Sequence, residues 1–349
     1  MMAMWRRLGP ALALLMVVVA YFAPAIAEGR MLAPGDGIAY YFDVRAVAFA
    51  AIKAGEMPFW NPFIFSGTPF LAAIQPGVFF PGNWTFLVLS PYWAMNMTVI
   101  AAFWVAGLGA YAFGRATAMT RFGALIAAFA FMFGGFFVFN SQHLTMIQAA
   151  GLLGFVLWAV ERFRATLAPR YAIGGAALLA LQILAGHPQM TAYSTIIAGC
   201  YALWRGWGLA RHDRVRYAGH LALMLGVGVG LALLQLLPTL DLIQASQRQV
   251  IPYERLVISS LPFEALPTLL LPFLYGSKVV TEWFATPAWT STAWRGGVEG
   301  YVGLATLLLA AVAVSRLQVL SQARFWAPVA LVTLLLALGD HTPLYQLWG

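Results

Sequence analysis

The chain has 349 residues, 62% of them hydrophobic and only 9% charged. Soluble globular chains carry roughly 25% charged residues, so this composition excludes a soluble core and makes lipid the solvent. A single cysteine, Cys200, excludes a disulfide framework and a thiolate zinc site, while the formal charge of +8 leaves nucleic-acid or other anionic partners to be judged from where the charges lie.

A membrane span takes about 20 apolar residues, with roughly 17 to 25 tolerated. In chain order about nine segments qualify: 8–27, 92–114, 122–140, 144–161, 171–186, 189–204, 217–238, 298–315 and 325–339. The pairs 122–140 with 144–161, and 171–186 with 189–204, read as tight helical hairpins. The expected fold is an all-α integral membrane protein, a multi-span helical bundle forming one transmembrane domain over 1–349. Arg6-Arg7, the apolar stretch and Ala25-Ile26-Ala27 also resemble a signal peptide with its cleavage site. The stretch is long for that role and Pro24 sits close to the cut; cleavage leaves the other spans unchanged.

Lys and Arg resist translocation, so their placement predicts orientation. With the N-terminus in the cytoplasm, that side holds 13 basic residues against two acids, Glu161 and Asp213; the other side holds seven basic residues and ten acids. The net charges are +11 and −3, which account for the whole +8. The basic bias is thus a topology signal, and no nucleic-acid partner is implied. The expected location is a bacterial cytoplasmic membrane, multi-pass, with the N-terminus inside.

Two long external loops follow from this topology. The first, 28–91, is rich in Gly, Pro and aromatics, with turns at PGDG, NPF, SGTP, QPG and FPGNW. Disorder favours few aromatics, so a compact structure is expected. From Ile38 to Ala54 the residues Tyr41, Val44, Val47, Ala48 and Ala51 recur at helical spacing, which predicts an interfacial amphipathic helix with its apolar face in the headgroup region. Phe59, Trp60, Phe63, Phe65, Phe79, Phe80 and Trp84 suit a membrane interface. The second loop, 239–297, holds Asp241, Arg248, Glu254, Arg255, Glu264, Lys278, Glu282 and Arg295. Its middle, Leu261 to Tyr275, is too short and too proline-broken to span and predicts a re-entrant or surface-lying element.

The residues capable of chemistry fall on the external side. Asp36 lies in Pro34-Gly35-Asp36-Gly37, where flanking glycines allow a sharp turn and close access. A carboxylate there can be a general base or a metal ligand, although an Asx-type turn is the commoner fate of such a motif. Asp43 is seven residues on, and an ion pair with Arg45 or Lys53 on a wet helix face is its plain alternative. Asn140 to His143, and Gly186 to Gln189, form two outer hairpins that each carry a histidine, a proton carrier, metal ligand or hydrogen-bond donor to phosphate, or simply a polar loop residue. Asp340 and His341 fall at the same expected depth. Gly226, Gly228 and Gly230 lie within a span, where close helix packing is the default. Walker-type loops, GxSxG, HExxH and a dinucleotide GxGxxG are absent from the sequence.

The stretch GDGIAYYFDVRAVAFAAIKAGEMPFWNPFIFSGTPFLAAIQPGVFFPGNW, Gly35 to Trp84, resembles the opening signature of the bacterial YfhO family. The matching positions are Asp36-Gly37, Arg45, Gly55 to Pro62 and Pro69 to Pro81; GHPQ at Gly186, EGYVG at Glu299 and ALGDHTPLY at Ala337 are similar to that family too. The resemblance implies a fold of GT-C type and a membrane glycosyltransferase. It implies as partners a polyprenyl-phosphate-linked sugar, membrane lipid and an envelope glycan or polymer acceptor on the non-cytoplasmic face. Asp36 best matches the acidic residue of the first external loop that is catalytic in such enzymes, and Asp43 is second. Arg45, His143, His187 and Gln189 are the expected substrate-binding residues, with charge-assisted bonds to the donor phosphate. No cofactor is required by this reading, and a divalent metal at Asp36 is left open. Family members are usually longer, and the ending GDHTPLYQLWG reads like the middle of a longer protein. The competing expectations are a transporter or flippase of lipid-linked envelope precursors, or a non-catalytic assembly protein. A transporter asks for ionisable residues near the middle of spans, where this sequence has almost none.

Overall fold

Inside hydrocarbon every backbone N–H and C=O needs a partner within its own segment, which turns apolar runs into helices. The computed structural model describes residues 2–246, 252–258, 260–274 and 300–343. Arg248, Lys278, Glu282 and Arg295 of the second expected loop, Glu299 of EGYVG, and Leu344 and Tyr345 of the last motif lie outside them, as does the side chain of Arg255.

The helices in chain order are α1 (Met2–Ala27), α2 (Phe42–Lys53), α3 (Thr85–Val88), α4 (Pro91–Ala116), α5 (Arg121–Met132), α6 (Gly135–Phe139), α7 (Leu144–Gly151), α8 (Leu153–Thr166), α9 (Pro169–Leu184), α10 (Pro188–Trp207), α11 (Arg211–Leu231), α12 (Leu233–Gln244), α13 (Tyr253–Val257), α14 (Leu304–Ser315) and α15 (Ser321–Ala337). Strand is confined, among the described residues, to one antiparallel pair, Trp60–Asn61 with Thr68–Pro69, in which Trp60 faces Pro69 and Asn61 faces Thr68. The protein is an all-α membrane protein.

Among the described residues, four stretches are long and apolar enough to cross a bilayer: Leu8–Ala27, Pro91–Ala116, Arg121–Gln142 and Leu144–Thr166. A fifth is added if α11 and α12, bent by 71° at their junction, count as one span. The segment expected as a straight span at 217–238 is therefore broken. The expected spans at 171–186 and 325–339 are helices of 16 and 17 residues, about 24–26 Å long at 1.5 Å per residue, short of a hydrocarbon core of about 30 Å.

The described residues form two compact units, one from Met1–Met132 with Asn140–Ser246 and one from Phe133–Phe139 with Gln247–Gly349. In the first, small residues let helices touch through their backbones. A Cβ on Gly154 would lie 2.4 Å from the carbonyl carbon of Gly109, so α4 and α8 cross where neither has a side chain. Of Gly226, Gly228 and Gly230 on α11, only Gly228 is packed in this way, against the Ala176 carbonyl oxygen of α9; a Cβ on Gly226 or Gly230 meets nothing within 4 Å. The packing expected of all three belongs to one.

The turns of the first unit sort into two sets. Arg164 donates from Nε to the Arg205 carbonyl (2.9 Å), and Arg216 donates to the Leu167 carbonyl (3.4 Å), tying together the arginine-rich turns. The Asn140–His143 and Gly186–His187 turns instead meet the segment that follows α1. Gly35 lies against Gln142, and Gly186, at φ +90°, lies against the Ile74 carbonyl oxygen.

The segment 28–91 is ordered, as its aromatic content predicts. A π-helical turn, Gly37–Tyr41, leads directly into α2. The expected lipid-facing amphipathic helix is corrected here: Val44, Arg45, Ala48 and Phe49 of α2 are buried in protein, with Phe49 stacked on Phe86 of α3 at 5.5 Å. The outward apolar surface is supplied by the turn after the first strand, where Phe63 and Phe65 are 77% and 89% exposed. Gln235 and Thr239 of α12 pin this segment by donating to the Leu71 (2.8 Å) and Ala72 (3.0 Å) carbonyls.

In the second unit the predicted non-spanning element is a 3-10 helix, Phe263–Leu269. Leu261 donates its backbone N–H to the Ala337 carbonyl (2.8 Å), and Leu261, Ala265 and Leu338 form a small core at the end of α15.

Candidate functional site

The site is built on the turn Pro34-Gly35-Asp36-Gly37. Gly35 sits at φ +58°, and a Cβ there would be 2.3 Å from the Gln142 side-chain oxygen; a Cβ on Gly37 would be 2.5 Å from the Ala33 side chain. Gly35 thus lets the turn press against the Asn140–His143 hairpin, and Gly37 lets it fold closely on Ala33. The result is a carboxylate–imidazole pair: Asp36 Oδ2 lies 3.5 Å from His143 Nδ1. The carboxylate is 62% exposed and the imidazole 21%, so the pair opens outward with the histidine as its inner wall.

His187 stands at the start of α10, where its Nδ1 accepts the Met190 N–H at 3.2 Å. That bond leaves Nε2 as the protonated nitrogen of the neutral ring. Burial, and then the charge of nearby His143, push its pKa below the ordinary imidazole value. The two histidines predicted from separate hairpins therefore sense each other's charge.

Behind this surface lies a buried polar chain. Tyr41 and Thr145 share a hydroxyl hydrogen bond (3.0 Å). Arg45 donates from Nη2 to Gln148 Oε1 (3.0 Å), Gln148 Nε2 donates to Asn83 Oδ1 (2.7 Å), and Asn83 Nδ2 donates to the Gly77 carbonyl (2.9 Å). Arg45 is corrected from its expected place. It is fully buried, not presented to a donor phosphate at the surface, and its Nε and Nη1 have no hydrogen-bond partner. Its guanidinium carbon is 5.6 Å from the Tyr41 ring centre. Burial pushes its pKa down to about 10.

Asp43 is exposed in the first turn of α2. Two residues apart on an α-helix is about 200°, so Asp43 faces away from Arg45, and neither Arg45 nor Lys53 pairs with it among the described residues. Gln189 is exposed and donates to the Tyr193 hydroxyl one turn on (2.7 Å). Asp340 and His341 belong to the second unit. There Asp340 accepts from the Tyr253 hydroxyl (2.9 Å) and His341 lies beside Phe263.

Among the described residues no group of three or more His, Cys, Asp or Glu side chains is arranged to hold a metal. Asp36 and His143 supply two ligands. The residues the sequence did not single out are Tyr41, Asn83, Thr145 and Gln148. Their signal was available: Tyr41 is four residues before Arg45, hence on its face of the helix, and Gln148 is an amide inside an apolar run.

No family model, curated protein or solved structure matches this chain. The class rests on fold and site: an all-α membrane protein with an exposed acid–imidazole pair over a buried, uncompensated guanidinium.

Proposed function

We propose that the protein is a membrane glycosyltransferase that moves a sugar from a polyprenyl-phosphate carrier to an envelope acceptor on the non-cytoplasmic face. The observation that carries this reading is the Asp36–His143 pair, 3.5 Å apart, with its carboxylate open to solvent. The sequence resemblance of Gly35 to Trp84 to the YfhO signature supports it independently.

In this reading Asp36 takes the proton of an acceptor hydroxyl. The acceptor oxygen forms a bond to the anomeric carbon of the sugar, and the bond from that carbon to the phosphate oxygen breaks. The polyprenyl phosphate leaves with the electron pair. His143 holds the Asp36 carboxylate in place, and His187 stands close enough to His143 to sense its charge. Arg45 acts from behind through its positive charge. Asp43 and Gln189, exposed and apart from these contacts, have weaker claims to a role.

The test is sugar transfer by the full chain in vesicles containing a polyprenyl-phosphate sugar. Asp36→Asn is expected to lower transfer by about 10² to 10⁴, the usual worth of a positioned general base. Because Asp36 is exposed, its loss should leave insertion and unfolding unchanged. Unaltered transfer by Asp36→Asn overturns the assignment, and carrier movement without cleavage of the sugar–phosphate bond would point to a flippase instead.

A further inference from the structure

At the arginine-rich end of the first unit, α9 and α11 lie side by side and run in the same direction. A Cβ on Gly175 would sit 2.6 Å from the Met224 sulfur, and one on Gly228 would sit 3.0 Å from the Ala176 carbonyl oxygen. Between them Ala172, Ile173 and Ala176 of α9 and Leu223, Met224 and Val227 of α11 wall a groove of about 90 Å³, with Pro169 and His220 at its mouth. Ile173 and Leu223 are 65% and 56% exposed, so the groove is open along its outer side.

Three arginines lie at this end of the helices, and Arg216, four residues before His220, is the one on the groove face. Arg170 follows Pro169 directly, and Arg216 is one turn before His220 and donates to the Leu167 carbonyl just ahead of α9. Arg162 donates to the Tyr171 hydroxyl (3.1 Å), and Arg162 and Arg170 both lie on the Tyr171 ring, at 5.3 and 5.0 Å from its centre. The two acids of this region are engaged elsewhere. Glu161 is ion-paired with Arg205 and accepts from the Tyr201 hydroxyl (2.6 Å), while Asp213 is 3.3 Å from His212. Among the described residues none of Arg162, Arg170 and Arg216 forms an ion pair with a carboxylate.

We propose that this groove binds an anionic phospholipid, with one acyl chain between α9 and α11 and the phosphate held by Arg216 at its mouth. An apolar wall open to hydrocarbon asks for a chain, and cations without counter-acids ask for an anion. Basic pockets between helices at a membrane surface recognise acidic head groups in this way. A zwitterionic lipid brings its own cation against Arg216 and is disfavoured. The site is separate from the Asp36 turn and independent of the proposed transferase activity.

The experiment is lipid retention by the purified full chain in native mass spectrometry, with phosphatidylglycerol, phosphatidylcholine and chain-less glycerol phosphate as probes. Phosphatidylglycerol should be retained at least tenfold over phosphatidylcholine, and glycerol phosphate should not bind at the same concentration. The preference should vanish in Arg216→Gln and in Val227→Trp, which fills the groove and keeps the charges. It should survive Arg121→Gln, which removes an arginine outside the groove. Equal retention of the two phospholipids, a preference surviving either groove variant, or equal binding of glycerol phosphate overturns the proposal.

Discussion

Replacing Arg45 with methionine keeps an apolar stem of similar length and deletes a buried charge that has one hydrogen bond and no carboxylate. Burial holds this guanidinium at about 10, well below the ordinary arginine value. At about 1.4 kcal/mol per pKa unit, folding disfavours the charged form by about 3 kcal/mol. The folded value lies below the unfolded one, so the penalty is fully present below pH 10 and is relieved only as pH rises from about 10 towards the unfolded value. It is constant across any ordinary assay pH. Methionine removes it but forfeits the charged hydrogen bond to Gln148, worth about 1.5–3 kcal/mol, and the contact with the Tyr41 ring, worth about 0.5–1 kcal/mol. The net change should fall within about 1 kcal/mol of zero, whereas breaking a paired buried charge costs about 3–5 kcal/mol. Reversible unfolding of the full chain in mixed micelles measures this directly. A loss of 3 kcal/mol or more on that scale would falsify the view that Arg45 is uncompensated. If the charge is kept for transfer chemistry, activity should fall at least about tenfold while stability holds, the signature of an interaction felt in the transition state.

Helix contact and pH provide two further tests. Gly154→Ala drives a methyl to 2.4 Å from the Gly109 backbone and should cost about 1–3 kcal/mol, while Gly230→Ala, with open space around it, should be neutral or stabilising by up to about 1 kcal/mol; the same micelle unfolding reads both. His187 has a folded pKa below its unfolded value, so its contribution to stability is whole above the ordinary imidazole range and is lost as pH falls through it. His187→Asn should therefore flatten the fall in melting temperature between pH 7.5 and pH 5, and a slope unchanged from the parent would refute that role.

Composition and loop charges were enough to read an all-α membrane protein, because hydrocarbon admits only self-satisfied helices and a one-in-eleven charge density fits no soluble core. They also placed Asp36, His143 and His187 at turns, since glycine and proline punctuate apolar runs visibly. Contact between those turns was not legible. It depends on Gly35 fitting against Gln142 and Gly186 against Ile74, encounters between segments about 110 residues apart. Helical spacing alone also misjudged α2: periodicity shows that a face is apolar but not whether lipid or protein covers it. Phe86 covers it, and Arg45, expected at the surface to meet a donor phosphate, ended up sealed against Gln148. The sequence by itself determined the solvent, the helices and which turns carry chemistry. Only the tertiary structure decided which of those groups meet, because side-chain burial is set by the neighbours that pack across a helix, and no local pattern names them.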